Sequence, residues 1–476
     1  MSATGELRVH SPGDLDGPER VFPWSLDVAS AAVDRARVAQ PAWEALGQAQ
    51  RLDFLRKLRE RFVAHKDDFA LLLGIEVGKP LWEGAQEAQL LVGKIDATLA
   101  HGLQLVAPHR LGDGAAGEWR ARAHGVLAVL GPFNFPVHLP NGHIVPALAL
   151  GNTVVFKPSE LTPACGALYA QCVAEAGFPA GVCQVVQGER TLGAYLSGEA
   201  AVDGVLFTGS VSVGNAIARA NADKPGKILA LELGGKNAAI VFADTDLDRA
   251  AYQIAFGGYV TAGQRCSSTS RCLVDRSVLD ALQAKLAALA RGLTVGPFEA
   301  PGTFMGPLIT AEARERFLAQ LRGAGPNAEP IVAPRETSLP GKRGHFVRPS
   351  LHRVEAWRPA EPYQAQELFG PDIALHGFDS EDEAVALANG TRFGLCAAVY
   401  SADRARFERL SGSLRAGVIN WNSPTVGASG KLPFGGVGDS GNHRPAGIFS
   451  ALYCSWPVAL SYGATGPSPD APTPGL

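Results

Sequence analysis

From residue 126 onward the chain alternates short runs of apolar, β-branched residues with helical stretches of ten or more residues, which leaves few architectures open. VLAVL (126–130) precedes a helix near 140–149, and TVVFK (153–157) precedes one near 162–176. VCQVVQ (182–187), GVLF (204–207) and KILALEL (227–233) continue the series. Strands separated by helix-length crossovers pair in parallel, and a parallel sheet is covered by helices on both faces. Ligands on such sheets bind beyond the carboxyl ends of the strands. A second series starts at AAIVF (238–242) and passes through a helix over 246–260, RCLV (271–274) and a helix over 277–291. It resumes with helices over 310–322, 380–389 and 402–411. The expected class is α/β, with two doubly wound parallel-sheet domains.

The first hundred residues read differently. SLDVASAAVDRARVAQ (25–40) and RLDFLRKLRERFVA (51–64) place apolar residues three and four apart, as helices do. Gly78 and Pro80 end the next helix, and another runs to about residue 104. GDGAAGEWRARAHG (112–125) reads as a Gly-rich arm with an exposed strand, and ALYCSWPVAL (451–460) as an apolar strip. Both look unfinished as monomer surface and predict a homodimer or homotetramer. GATGPSPDAPTPG (463–475) has the composition of a flexible tail.

At 476 residues the chain is too long for one ordinary core. A net charge of −3 with no Lys/Arg stripe argues against a nucleic-acid partner. No stretch is long and apolar enough for a membrane span, and the N-terminus carries acids, His and Pro where a signal peptide needs an apolar run. The seven cysteines include no CxxC pair and no metal-like Cys/His spacing, so free thiols in a reducing cytoplasm and no bound metal are expected.

Several loops carry residues suited to chemistry. TAGQRCSS (261–268) sets Cys266 between a helix and a strand, where loop N–H groups can favour thiolate; a cysteine taken singly is more often buried and inert. LELGGKN (231–237) puts Glu232 at a strand end among apolar residues, a setting for a general base with a raised pKa or for an ion-paired carboxylate. GPFNFP (131–136) holds Asn134 in a Pro-flanked loop, where its amide can donate to an oxyanion or cap its own backbone. FKPSE (156–160) ends a strand with Lys157. FTGSVSVG (207–214) is a strand, a glycine turn and a helix start, a form that lets backbone approach a diphosphate. ELFGP (367–371) is a Pro-terminated loop with Glu367 and Phe369.

PFNFP, FKPSE, FTGS, ELGGKN, GQRCS, ELFGP and PFGG (433–436) occur in an order and at spacings that resemble the aldehyde dehydrogenase superfamily over nearly the whole chain. The resemblance implies oxidation of an aldehyde to an acid through a thioester, with Cys266 as nucleophile, Glu232 as base, and Asn134 with the Cys266 N–H as oxyanion hole. It assigns Lys157 and Glu160 to the adenosine ribose of NAD, Gly209, Ser210 and Gly214 to the diphosphate, and Ser159 to the cofactor site. Leu233 and Gly234 also join the cofactor site, and Glu367 and Phe369 the nicotinamide half. Glu160 favours NAD over NADP, since a carboxylate accepts from a 2′-hydroxyl and repels a 2′-phosphate. The implied domains are an NAD(P)-binding unit (1–111 and 126–233), a catalytic unit (234–435) and an oligomerisation arm (112–125 and 448–462).

Within the superfamily, HLPNGHIVPALALGNTVVFKPSELTP (138–163), VINWNSP (418–424) and SGNHRPAG (440–447) resemble the N-succinylglutamate semialdehyde dehydrogenases of arginine catabolism. His443 and Arg444 then supply positive charge for a substrate carboxylate, or Arg444 simply holds the C-terminal arm. Lys236 departs from that subfamily, as does the loop ASGKLPFGG, and the N-terminus reads as shortened, without an opening strand pair. The alternatives are a dehydrogenase for glutamate semialdehyde or another small aldehyde, a CoA-acylating relative, and a non-catalytic binding protein.

Overall fold

The computed structural model describes residues 3–110, 117–462 and 474–475, so most of the tail and residues 112–116 of the arm lie outside it. An opening strand pair is present after all: β1 (Thr4–Val9) runs antiparallel to β2 (Arg20–Ser25). Only Leu7 of β1 is buried, so the segment has no apolar alternation from which a strand could be read. Ser25 Oγ accepts from Asp27 N at 3.1 Å and starts α1 (Leu26–Ala45). Next come α2 (Gln48–Ala64), α3 (Lys66–Val77) and α4 (Leu81–Ala100). Gly78, left-handed at φ 80°, stops α3 as expected.

After β3 (His109–Arg110) and β4 (Gly117–Arg122) the first parallel sheet begins. Its strands are β5 (Val126–Leu130), β6 (Thr153–Lys157), β7 (Cys183–Val185), β8 (Gly204–Thr208) and β9 (Ile228–Glu232). They alternate with α5 (His138–Ala149), α6 (Pro163–Glu175), α7 (Arg190–Gly198) and α8 (Val211–Ala220). All pairings are parallel, in the order β7-β6-β5-β8-β9. Side-chain alternation sends Leu127, Val129, Val154 and Phe156 into one core and Val126, Ala128, Val155 and Val205 into another. The sheet is thus buried on both faces. The chain winds outward from β5, returns, and crosses to β8. That reversal opens a crevice at the strand ends between β5 and β8.

The second sheet has seven strands, with β10 (Asn237–Val241) and β11 (Thr269–Asp275) inside it and α9 (Leu247–Tyr259) between them in sequence. Across it the order is Ala328–Val332, Ser350–Val354, Asp372–Phe378, β11, β10, Cys396–Tyr400 and Val418–Trp421. Only the first of these is antiparallel to its neighbour.

The arm differs from its expected form. Strand β4 is not an open edge: it lies between β3 and Trp456–Ser461 in a three-stranded antiparallel sheet. The apolar strip is also divided, because Ala451, Tyr453 and Cys454 are buried in the core of the first sheet while Trp456 is 45% exposed. Among the described residues no helix is long and apolar enough to cross a membrane.

Candidate active site

A cavity of about 820 Å³ opens at the crevice, lined by the ends of β5, β6 and β8 and by the loops after them. Lys157, Ser159 and Glu160 stand at the end of β6. Lys157 Nζ donates to Pro158 O at 2.6 Å and sits 3.4 Å from Glu160 Oε2; burial holds its ammonium below the usual pKa, and Glu160 opposes that. Gly209 and Ser210 line the middle of the cavity. Ser210 Oγ caps α8 by accepting from Val213 N at 3.4 Å, so the helix N-terminus, with its partial positive charge, faces the cavity.

Gly214, by contrast, is not among the cavity-lining residues. A Cβ there would come within 2.6 Å of Leu233 Cδ2, so this glycine lets α8 pack closely on the segment after β9. Its small size serves helix-to-sheet packing rather than approach to a ligand. Leu233 and Gly234 do line the cavity, as do Glu367 and Phe369 at its other end. Glu367 Oε1 accepts from Gly235 N at 3.0 Å, and burial raises its carboxyl to about 7. The Phe369 ring meets Phe133 edge-on at 5.9 Å.

Cys266 lies at this same end. Its loop is strained: Thr261, Ala262 and Gly263 are successively left-handed, at φ 56°, 53° and 69°. The two non-glycine residues cost roughly 1–3 kcal/mol each. At Gly263 a side chain would meet Gly370 O at 2.2 Å, so no other residue fits. Buried Gln264 pins the loop, donating from Nε2 to Thr261 O and Pro307 O and accepting at Oε1 from Ile309 N. The Cys266 carbonyl accepts from Asn237 Nδ2 at 2.7 Å. Burial, with Glu367 and Glu232 nearby, pushes the thiol up to about 12. The expected effect of loop N–H groups is real, through Ser267 and Cys266 itself, but it is outweighed. At rest Cys266 is a thiol.

Asn134 is hydrogen-bonded through both ends of its amide. Its Oδ1 accepts from the neighbouring Phe135 N at 3.1 Å, and its Nδ2 donates to Gln264 O at 2.8 Å, across to the cysteine loop. The amide has a second N–H for an incoming oxygen. Glu232 is buried at the end of β9. Its Oε1 accepts from Ala446 N at 3.3 Å, and Oε2 is buried without a partner among the described residues. Burial holds its carboxyl well above the usual range. His443 and Arg444 are exposed, on the turn leading to Ala446, and neither lines the cavity. His443 is left-handed, at φ 61°. Lys236 is buried beside the cavity floor, donating to Tyr363 O at 3.0 Å, and burial lowers its ammonium to about 8.

Residues 3–455 match the aldehyde dehydrogenase family. The chain belongs to the aldehyde dehydrogenase family. Among curated proteins it is 44% identical over 439 residues to an N-succinylglutamate 5-semialdehyde dehydrogenase of Caulobacter sp. (strain K31), covering 90% of this chain and 88% of that one. Among solved structures it is similar to an NAD-dependent aldehyde dehydrogenase from Sinorhizobium meliloti, with a TM-score of 0.90 at 32% identity over 97% of this chain and 93% of that one. It is also similar to a mutant aldehyde dehydrogenase C from Pseudomonas syringae solved with NAD+ and octanal, with a TM-score of 0.91 at 26% identity over 97% and 94%. The enzyme is thus an oxidoreductase acting on aldehydes, in a family whose members bind NAD(P).

Some cavity residues of this aldehyde dehydrogenase had no assignment from sequence. Phe133 and Thr208 adjoin motif residues, and their neighbours Asn134 and Gly209 were the available signal. Arg190 opens α7 after Gly188, a strand-to-helix turn like that before α8. Arg316 sits on an amphipathic helix, Ala311–Arg322, and nothing in its spacing distinguishes it from a solvated surface residue.

Proposed function

We propose that the enzyme oxidises N-succinyl-L-glutamate 5-semialdehyde to N-succinyl-L-glutamate in the cytoplasm, as a step of arginine catabolism, with NAD as the hydride acceptor. One observation carries the chemistry: Cys266 and Asn134 line the same cavity as Lys157, Glu160 and Glu367. Its volume of about 820 Å³, with a helix N-terminus at mid-length and carboxylates at both ends, fits a dinucleotide with two riboses around a diphosphate. Lys157, Ser159 and Glu160 would hold the adenosine ribose, and Gly209 and Ser210 the diphosphate. Leu233, Gly234, Glu367 and Phe369 would hold the nicotinamide half. Bound there, the cofactor supplies the acceptor for the hydride.

The remaining steps belong to protein groups. Cys266 Sγ gives up its proton to solvent and bonds to the aldehyde carbon, and the carbonyl oxygen becomes an oxyanion. Asn134 Nδ2 and the Cys266 N–H donate to that oxygen. Loss of hydride leaves the carbon on sulfur as a thioester. Glu232 takes a proton from water, the hydroxide adds to the thioester carbon, and the C–S bond breaks to release acid and thiol. A base at Glu232 favours water over CoA as the acyl acceptor. In this reading residues 1–111 and 126–233 form the dinucleotide domain, 234–435 the catalytic domain, and 112–125 with 448–462 the oligomerisation arm.

The substrate class rests on the curated relatives, and Arg444, exposed outside the cavity lining, is tested as a source of positive charge for the substrate carboxylate. The test is a kcat/KM panel of succinylglutamate semialdehyde, glutamate semialdehyde and a neutral aldehyde of matched length, with NAD and NADP. The carboxylate-bearing aldehydes should win by on the order of tenfold, the worth of one charge-assisted hydrogen bond. NAD should outperform NADP because of Glu160. Arg444→Met should erase the carboxylate preference and spare the neutral aldehyde. If Arg444→Met lowered both alike, the residue would be holding the fold. No preference in the wild type would end the succinylglutamate assignment and leave the aldehyde chemistry standing.

The enzyme is also proposed to be a homodimer or homotetramer built through its arm. The strand Trp456–Ser461 is the sheet's edge, and Trp456 and Tyr462 are 45% and 46% exposed. An unpaired edge with aromatic residues is a ready surface for a second copy. Sedimentation at micromolar concentration should give a dimer or larger; a stable monomer would refute the proposal.

A further inference from the structure

Four charged side chains outside the cavity lining form a compact cluster, with Lys79, Glu83 and Glu87 buried and Arg265 half-buried. Lys79, Glu83 and Glu87 come from α4 and the turn before it, and Arg265 from the loop of Cys266. Arg265 Nη2 donates to Glu83 Oε1 at 2.9 Å, and its Nε donates to Thr261 Oγ1 at 2.6 Å. Thr261 Oγ1 in turn donates to Glu83. Glu83 therefore holds the left-handed start of the cysteine loop and the residue just before Cys266. Lys79 Nζ lies 2.6 Å from Glu87 Oε2 and 3.8 Å from Glu83 Oε1. Glu87 Oε1 accepts from His138 N at 3.2 Å, at the start of α5, just beyond the loop of Asn134. Phe135, next to Asn134, is covered by Lys79 at 3.7 Å and by the Arg265 guanidinium at 4.9 Å.

We propose that Glu83, with Arg265, Lys79 and Glu87, is a positioning clamp that ties the Cys266 loop and the Asn134 loop to one helix and so sets the distance between nucleophile and oxyanion donor. This rests on the reading of Cys266 as nucleophile. The chemistry of the cluster argues for such a role. Two acids balance two bases, and a buried ionic cluster gives little or no stability over apolar packing of the same shape. What it gives is direction, since each bond has a fixed partner and angle. Burial alone would raise the Glu83 carboxyl, but Arg265, Lys79 and Thr261 bring it below its usual range, so it stays charged. The strained turn at Thr261 and Ala262 needs such restraint to persist. Catalysis is sensitive to this placement, because a shift of about 1 Å between reacting groups can cost on the order of a hundredfold in rate.

The test follows Glu83→Gln, which keeps the shape and removes the charge, and Arg265→Lys, which keeps the charge and removes the fork. For each, kcat, KM for aldehyde, cofactor affinity, melting temperature and the rate of Cys266 alkylation by iodoacetamide are measured. Both variants should lose on the order of ten- to a hundredfold in kcat and in alkylation rate, with KM and cofactor affinity changed by less than about threefold. If Glu83→Gln does not fold, Arg265→Lys decides alone. Wild-type kcat and alkylation in a folded variant, whatever its melting temperature, would overturn the clamp. Loss of kcat with unchanged alkylation would also overturn it. The underlying reading is checked separately: if wild-type enzyme alkylated at Cys266 kept its turnover, the nucleophile assignment, not the clamp, would be the error.

Discussion

Replacing Cys266 with alanine is expected to abolish turnover while leaving cofactor affinity within about twofold of wild type. Cys266 is the only cysteine that lines the cavity among the described residues, so no other thiol can take its place. Five of the other six are buried and the last, Cys183, is half-buried on β7. The residues at the proposed adenosine end of the cavity, Lys157, Ser159 and Glu160, lie at and just after the end of β6, so the change should not reach them. Residual activity above about a tenth, equivalent to about 1.4 kcal/mol of barrier, would mean that a different group attacks the aldehyde. The wild-type rate should also climb with pH from neutral into the alkaline range. A thiol raised to about 12 is almost wholly protonated at pH 7, and each step up in pH increases the thiolate fraction.

Glu232→Gln is expected to separate the two halves of the reaction. A single-turnover burst of NADH should survive, followed by steady-state turnover reduced by on the order of a hundredfold or more, the usual contribution of a general base. The reason lies in where the carboxylate points. Oε1 accepts from Ala446 N at 3.3 Å, and Oε2 has no protein partner among the described residues, so Oε2 is the oxygen able to take a proton from water. No hydrogen bond joins Glu232 to Cys266 among the described residues. Burial holds the carboxyl well above the usual range, so it is neutral below its raised pKa and becomes a base only above it. Acyl release in the wild type should therefore rise with pH, and the glutamine variant should lose that dependence. Stopped-flow absorbance of NADH measures both phases. Disappearance of the burst would move Glu232 to activation of the thiol.

In the sequence these two residues stand out through the order and spacing of seven motifs that resemble the aldehyde dehydrogenase superfamily. GQRCS and LELGGKN each place a reactive side chain next to the glycines and small residues that its loop requires, and those requirements act within a few bonds. Gly214 shows the limit of that reasoning. Its spacing from Gly209 suggested a diphosphate turn, yet the side chain it makes room for is Leu233, brought in by the pairing of β8 with β9. The strand pair at the N-terminus was missed for a related cause. β1 gains its identity from hydrogen bonds to β2 across an intervening loop rather than from a buried face of its own.

The parallel sheets, their winding and the crevice between β5 and β8 follow from the period of apolar residues and the length of the crossovers, which are written along the chain and act through local geometry. The state of the groups in that crevice is another matter. The raised thiol of Cys266, the raised carboxyl of Glu232 and the bond from Arg265 to Glu83 all depend on burial and on partners far away in sequence; Glu83 and Arg265 are 182 positions apart. Desolvation and charge pairing are properties of the assembled interior, and no spacing in the chain specifies them before it folds.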